Sequence, residues 1–215
     1  MKPFIQNHQF NLIRREVTLL QKQVHGIVDR DVELAVRVGV EEKVKNSFNS
    51  LTEMQERQLA PIFSLKTEEE RERYLQNLRP YRIAFPSITQ TDLKQIFSKT
   101  KKLKLPSLKN TDFQSLTYLG WKDIGSSKQY LLYKLDGKLI GVEGRYVILT
   151  KKNICQVCHR FGDVALVTAQ KKFKKLNEND KAFGKYMCYD SKDCNQFIQR
   201  LEPLESFLRQ IVAPR

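Results

Sequence analysis

Apolar residues recur every three or four positions through the first eighty residues and every second position beyond Pro106, so the chain changes period once. Phe10, Ile13, Val17, Leu20, Val24 and Ile27 form the stripe of a first helix, with Asn7 as its candidate cap and Gly26 near its end. Val32, Val36, Val40, Val44 and Phe48 predict a second helix from near Asp31 to about Phe48. Ser50-Leu51-Thr52-Glu53 reads as a capping box that opens a third helix. Thr67 with Glu70 opens a fourth, which stops near Arg79 and Pro80 because a residue ahead of proline resists the helical region. Each helix is short and separately capped, which favours an antiparallel bundle over a coiled coil. Thr89 with Asp92 starts a shorter helix to about Lys99, and the alternating lysines and leucines that follow read as a strand or a basic linker.

Beyond Pro106 the alternation predicts strands at Leu116–Trp121 and Gln129–Leu135. Asp136-Gly137 is a strong two-residue hairpin turn, since both central positions of that turn need positive φ. Leu139–Val142 and Arg145–Leu149 read as two returning strands, and Asp163–Thr168 and Lys185–Met187 as two more. Asp190 or Ser191 caps a helix carrying Cys194, Phe197, Ile198 and Leu201, and Leu204, Phe207, Leu208 and Ile211 stripe a last one. The expected class is α+β: a helical bundle over residues 1–84, then a mixed domain over residues 85–215, with the boundary placed near residues 80–88.

All four cysteines fall in the second part, as Cys155-x-x-Cys158 and, after twenty-nine residues, Cys188-x5-Cys194. That spacing predicts one tetrahedral zinc held by Cys155, Cys158, Cys188 and Cys194, with the finger spanning residues 151–201. Four protein ligands leave no open coordination position, so such a metal is structural. The bland alternatives are a disulfide pair or reduced cysteines packed as small hydrophobes; a redox-active C-x-x-C is disfavoured because no βαβ pattern surrounds it. A knuckle, a hairpin, then a second knuckle running into a helix is the order of a treble-clef finger.

Charge divides the chain at the same place. Residues 1–80 hold 13 Lys and Arg against 12 Asp and Glu, and residues 81–215 hold 25 against 12, a balance of +1 followed by +13. A basic second half predicts an acidic partner: nucleic acid, a ribonucleoprotein or an acidic protein surface. The lysine loop Lys171, Lys172, Lys174 and Lys175 is its densest run and supports an alternative reading as an RNA- or ribosome-binding finger protein. The N-terminus has charges where a signal peptide needs an apolar core, and no apolar run approaches membrane-spanning length, so a cytoplasmic monomer with no membrane contact is expected. Enzymatic chemistry is poorly supplied. His8 and His25 lie in helical sequence without a nucleophile pattern, His159 adjoins a filled cage, and no glycine run has phosphate-binding spacing.

The cysteine cage in its context GKYMCYDSKDCN, the His8-Gln9-Phe10-Asn11 start, the run Lys101 to Pro106 and Gly120-Trp121 together resemble the elongation factor G-binding proteins, the FusB-type fusidic acid resistance family. The resemblance covers nearly the whole chain, with Phe183 ahead of Gly184 where some relatives carry a basic residue. It implies a helical N-terminal domain, a C-terminal domain ending in a zinc finger, and binding to elongation factor G. The resemblance further implies that the factor is then released from the ribosome, which would protect translation without altering the drug. The resemblance also implies a contact surface built on Ile154, Lys185, Tyr186 and Phe207.

Overall fold

In the computed structural model, which describes residues 1–170 and 181–212, the chain divides into two units, Met1–Ile83 and Ala84–Arg215. The first unit is helical: α1 (Asn7–Val24), α2 (Arg30–Lys45), α3 (Glu53–Leu59) and α4 (Glu68–Leu78), with short 3-10 turns after α3 and α4. In its core the predicted stripes of α1 (Phe10, Ile13, Val17, Leu20) and α2 (Val40, Val44) join Tyr74, Leu75 and Leu78 of α4, a face that no predicted stripe marks.

The ends of these helices follow local chemistry that differs in places from the prediction. Gln6 precedes α1 and its backbone N–H donates to Gln9 Oε1 at 2.8 Å, so Asn7 is the first helical residue rather than the cap. The helix stops at Val24, ahead of Gly26 at φ +87°, and Ile27 falls outside it. Asp29 caps α2 by accepting from the Asp31 and Val32 amides, and that helix ends at Lys45, short of Phe48. The third helix opens at Thr52, whose hydroxyl accepts from the Gln55 amide while Gln55 Oε1 accepts from Thr52 N–H. Ser50 therefore lies before the cap. Thr67 and Glu70 form the predicted reciprocal pair at α4.

Several polar side chains are buried in this unit, which periodicity could not show. Gln9 Nε2 donates to Ser47 O at 2.7 Å, and Arg82 donates to Asn7 Oδ1 at 2.9 Å while its guanidinium lies 4.4 Å from the centre of the Phe10 ring. Within the His-Gln-Phe-Asn start, Gln9 and Phe10 thus tie α1 to Ser47 and Arg82. Arg37, also buried, donates to the carbonyls of Phe63 and Leu65 and fixes the turn that follows α3.

The second unit is a five-stranded antiparallel sheet in the order β1-β2-β3-β6-β7, with a separate two-stranded ribbon, β4-β5. The strands are β1 (Leu119–Asp123), β2 (Lys128–Leu135), β3 (Lys138–Ile148), β4 (Asn153–Ile154), β5 (Phe161–Gly162), β6 (Val164–Gln170) and β7 (Ala182–Cys188). Helix α5 (Gln90–Ile96) precedes them, capped by Thr89 and Asp92 as predicted; α6 (Ser191–Phe197) and α7 (Glu202–Val212) follow them. Asp136 and Gly137 take φ of +49° and +79°, the hairpin turn the sequence announces.

The two returning strands predicted after that turn are one continuous β3. Gly141 and Gly144 do not break it; they let neighbours come close. A Cβ at Gly141 would stand 2.6 Å from Ile96 Cγ2, and one at Gly144 would stand 2.7 Å from Thr168 O. The sheet has an apolar layer on each face. Phe85, Ile88, Leu93 and Phe97 cover Leu119, Tyr130 and Leu132 on one. On the other, Leu131, Tyr133, Val142, Tyr146, Val164 and Met187 pack with the cysteines, Ile198, Leu204, Phe207 and Leu208.

Candidate functional site

The second unit converges on a turn after β3. Cys155 N–H donates to Arg160 O at 2.9 Å and His159 N–H to Cys155 O at 2.8 Å, which closes a tight loop around Cys155 and Cys158. The loop forces His159 into left-handed backbone, φ +59°, with its side chain exposed and outside the sulfur cluster. Cys188 ends β7, and Cys194 sits on α6, whose first turn is capped by Asp190 accepting from Lys192 N–H at 2.8 Å.

These elements bring the four sulfurs within 4.8 Å of one another. Cys155 and Cys194 are 3.9 Å apart and Cys158 and Cys188 3.5 Å. A tetrahedron of Zn–S bonds near 2.3 Å sets its corners about 3.8 Å apart, so the cage is of the size that holds one zinc ion. The donors around it are also right for thiolates. Cys155 Sγ receives the backbone N–H groups of Val157, Cys158 and Cys188 at 3.4, 3.5 and 3.3 Å. The Tyr118 phenol is buried beside the cage; burial, and then the nearby Cys194 sulfur, push its pKa well above the usual value. Among the described residues, these cysteines are the sole group of His, Cys, Asp or Glu side chains arranged to hold a metal.

Asn195, next to the last ligand, binds the finger to the sheet. Its Oδ1 accepts from the Thr117 and Tyr118 amides at 2.6 and 3.1 Å, and its Nδ2 donates to Tyr118 O and Ser191 O, both at 2.9 Å. An alanine there leaves buried backbone groups of the chain entering β1 without partners. Asn195→Ala is expected to destabilise the second unit by about 2–4 kcal/mol. Denaturant unfolding followed at Trp121, the single tryptophan, reads that unit alone.

The rim of the cage is apolar and open. Six large hydrophobic side chains of the second unit are exposed among the described residues, and four of them, Val147, Ile148, Ile154 and Phe161, fall between residues 147 and 161. Ile154 (52% exposed) pairs across the ribbon with Phe161 (65% exposed). On the sheet, Val147 (66% exposed), Leu166 and Tyr186 lie side by side across β3, β6 and β7. Tyr186 joins this row to the metal loop: its carbonyl accepts from Gln156 N–H at 2.8 Å and its N–H donates to Gln156 Oε1 at 3.0 Å. Lys185 is half-buried and donates to Pro203 O at 2.7 Å, leaving two ammonium donors free to meet another acceptor. Burial lowers its pKa, against the pull of the Cys155 sulfur.

Phe207 is in a different position from the one the resemblance implies. It is 1% exposed on α7 and packs in the core beneath the sheet, because the α7 stripe that includes Leu204 and Leu208 faces inward. No ring so placed can touch a partner. Phe207→Ala should therefore cost about 3–5 kcal/mol of stability in the second unit, again read at Trp121, and change binding only through loss of folded protein. Conversely, sequence reasoning passed over Val147 and Phe161. Strand alternation was the available signal: Val147 is out of phase with the core residues Val142 and Tyr146. The lysine run 171–175 lies outside the described residues.

A helical unit followed by a sheet unit that closes on a four-cysteine cluster defines the class: a zinc-finger protein with two units. The family model described as elongation factor G-binding protein, N-terminal, matches residues 4–86, and that of the FBP C-terminal treble-clef zinc-finger matches residues 93–210. The chain belongs to the elongation factor G-binding protein family, and its four cysteines fit one structural zinc ion. Among solved structures it is similar to the fusidic acid resistance protein FusC, with 27% identity and a TM-score of 0.76 over 96% of this chain and 97% of that one. A comparison with curated proteins finds no match. No helix among the described residues is long and apolar enough to cross a membrane.

Proposed function

We propose that this protein binds elongation factor G in the cytoplasm as a monomer, through the rim of its zinc finger, and promotes release of the factor from ribosomes stalled by fusidic acid. It acts by binding rather than by catalysis. Cys155, Cys158, Cys188 and Cys194 hold the zinc, which rigidifies the loop carrying Ile154 and the strand end carrying Tyr186. The contact surface is Ile154, Phe161, Val147 and Tyr186, with Lys185, next along β7 and turned to the opposite face towards Pro203 O, flanking it; Phe207 supports it from within.

The observation that carries this reading is the gathering of exposed apolar side chains around one metal-fixed loop. Most of the unit's other large apolar side chains are buried, so this surface calls for a cover. Aromatic and aliphatic anchors on a rigid frame give binding energy at small entropic cost. Membership of the factor-binding family and likeness to FusC support the choice of partner.

The test is sedimentation of ribosomes loaded with elongation factor G, GDP and fusidic acid. Adding stoichiometric protein is expected to move the factor from the ribosomal to the free fraction. If the factor stays with the ribosomes while a complex of protein and factor forms in solution, binding stands and the release step fails.

A further inference from the structure

The stretch between Leu93 and Thr111 holds six lysines, Lys94, Lys99, Lys101, Lys102, Lys104 and Lys109, and no acidic residue. All six are exposed. Lys94 lies on α5, and beyond that helix the run is not a strand but the basic linker, an irregular segment fastened to the sheet. Leu103, Leu105 and Leu108 pack into the layer around Phe97 and Tyr130, Lys104 O accepts from Trp121 Nε1 at 2.8 Å, and Thr100 Oγ1 hydrogen bonds to Glu143. The leucines point in, so the lysines are held out. Only Lys104 has an ion pair, with Asp123 at 3.0 Å; the other five have none among the described residues. On the sheet beneath, Arg145 adds an exposed cation beside Lys128.

We propose that this segment is a binding surface for RNA, contacted through its phosphates and separate from the apolar rim of the finger. Five unpaired ammonium groups on a fastened backbone suit a regularly charged strand, because each phosphate neutralised releases a condensed counterion. The segment itself exposes no large apolar side chain. That composition is wrong for a protein interface, where lysine is depleted and aromatic anchors dominate. It is also wrong for a membrane anchor, which needs an apolar group to insert beside its basic patch. Phosphate contacts position a protein without reading sequence, so the surface is expected to bind single-stranded RNA of any sequence.

The experiment is fluorescence anisotropy of a labelled oligouridylate titrated with the zinc-loaded full chain over a salt series. With about five phosphate contacts on a single strand, affinity should fall ~100-fold between 50 and 200 mM salt. The combined variant Lys99→Gln, Lys101→Gln, Lys102→Gln should flatten the logarithmic salt slope by about two while zinc content and Trp121 emission stay unchanged. Tyr186→Ala should leave RNA binding intact, which separates this surface from the factor-binding one. A flat titration at 50 mM salt overturns the proposal. So does loss of RNA binding only when Lys171, Lys172, Lys174 and Lys175 become glutamine, which would assign the contact to that run. Flotation with vesicles of anionic lipid, or loss of factor binding in the triple lysine variant, in either case without RNA binding, would reassign the patch to a membrane or an acidic protein.

Discussion

Cys194→Ser removes zinc from the protein and unfolds the finger and its sheet, while the helical unit Met1–Ile83 keeps its secondary structure. Cys194 is fully buried, and its sulfur is one of four on which the β6-β7 hairpin, the metal loop and α6 converge. A structural zinc contributes about 10–16 kcal/mol to finger-sized domains near neutral pH, as much as or more than a whole domain's net stability of about 5–15 kcal/mol. The second unit has no reserve of that size. Loss of one zinc per chain, a shift of Trp121 emission towards that of the unfolded chain, and persistence of roughly the helical circular dichroism owed to the first unit check the outcome. A Cys194→Ser protein that kept its zinc and its native Trp121 emission would show the cage to be something other than the frame of this unit.

Zinc retention should also fall as the pH drops. The four sulfurs lie within 4.8 Å of one another, and zinc binds them as thiolates. Loading the cage therefore releases protons, and acid drives them back. Chelator competition at a series of pH values reads this directly, with weaker zinc binding at each lower step.

Val147→Asp and Tyr186→Ala, made separately, are each expected to weaken binding to elongation factor G by about 30-fold or more, the loss typical of a central interface residue. Val147 is exposed and Tyr186 half-buried on the same cross-strand row, so neither change opens a core cavity. Zinc content and the unfolding midpoint of the second unit should stay close to those of the unaltered chain. Phe207→Ala should do the reverse, lowering that midpoint. The two kinds of variant thus separate contact from support, and unchanged affinity in both surface variants would remove the row from the interface.

The cage was readable from the sequence because its chemistry is local in spacing: C-x-x-C sets one corner pair, and a capped helix after Cys188 sets the other. Helix stripes and the Asp136-Gly137 turn were readable for the same reason, since each is decided within a few residues. What the sequence hid depends on distant partners. Leu139–Val142 and Arg145–Leu149 read as two strands, and only the close approach of Ile96, Phe97 and Thr168 accounts for the glycines within one continuous β3. Nothing in the periodicity marks Arg37, Arg82, Gln9 and Asn195, which are buried and tie distant segments together. Phe207 took its contact role from the resemblance, while the stripe it shares with Leu204 and Leu208 turns inward. Val147 and Phe161 escaped notice because an exposed apolar residue is recognised only once its neighbours are known to be turned inward.

The most direct test of the account is titration calorimetry of the full, zinc-loaded chain into purified elongation factor G, repeated with Val147→Asp and after zinc chelation. The account predicts a one-to-one complex of micromolar affinity or tighter with the unaltered chain, strongly weakened by Val147→Asp and abolished without zinc. Absence of binding by the folded, zinc-loaded protein, or equal binding after the metal is gone, would contradict it.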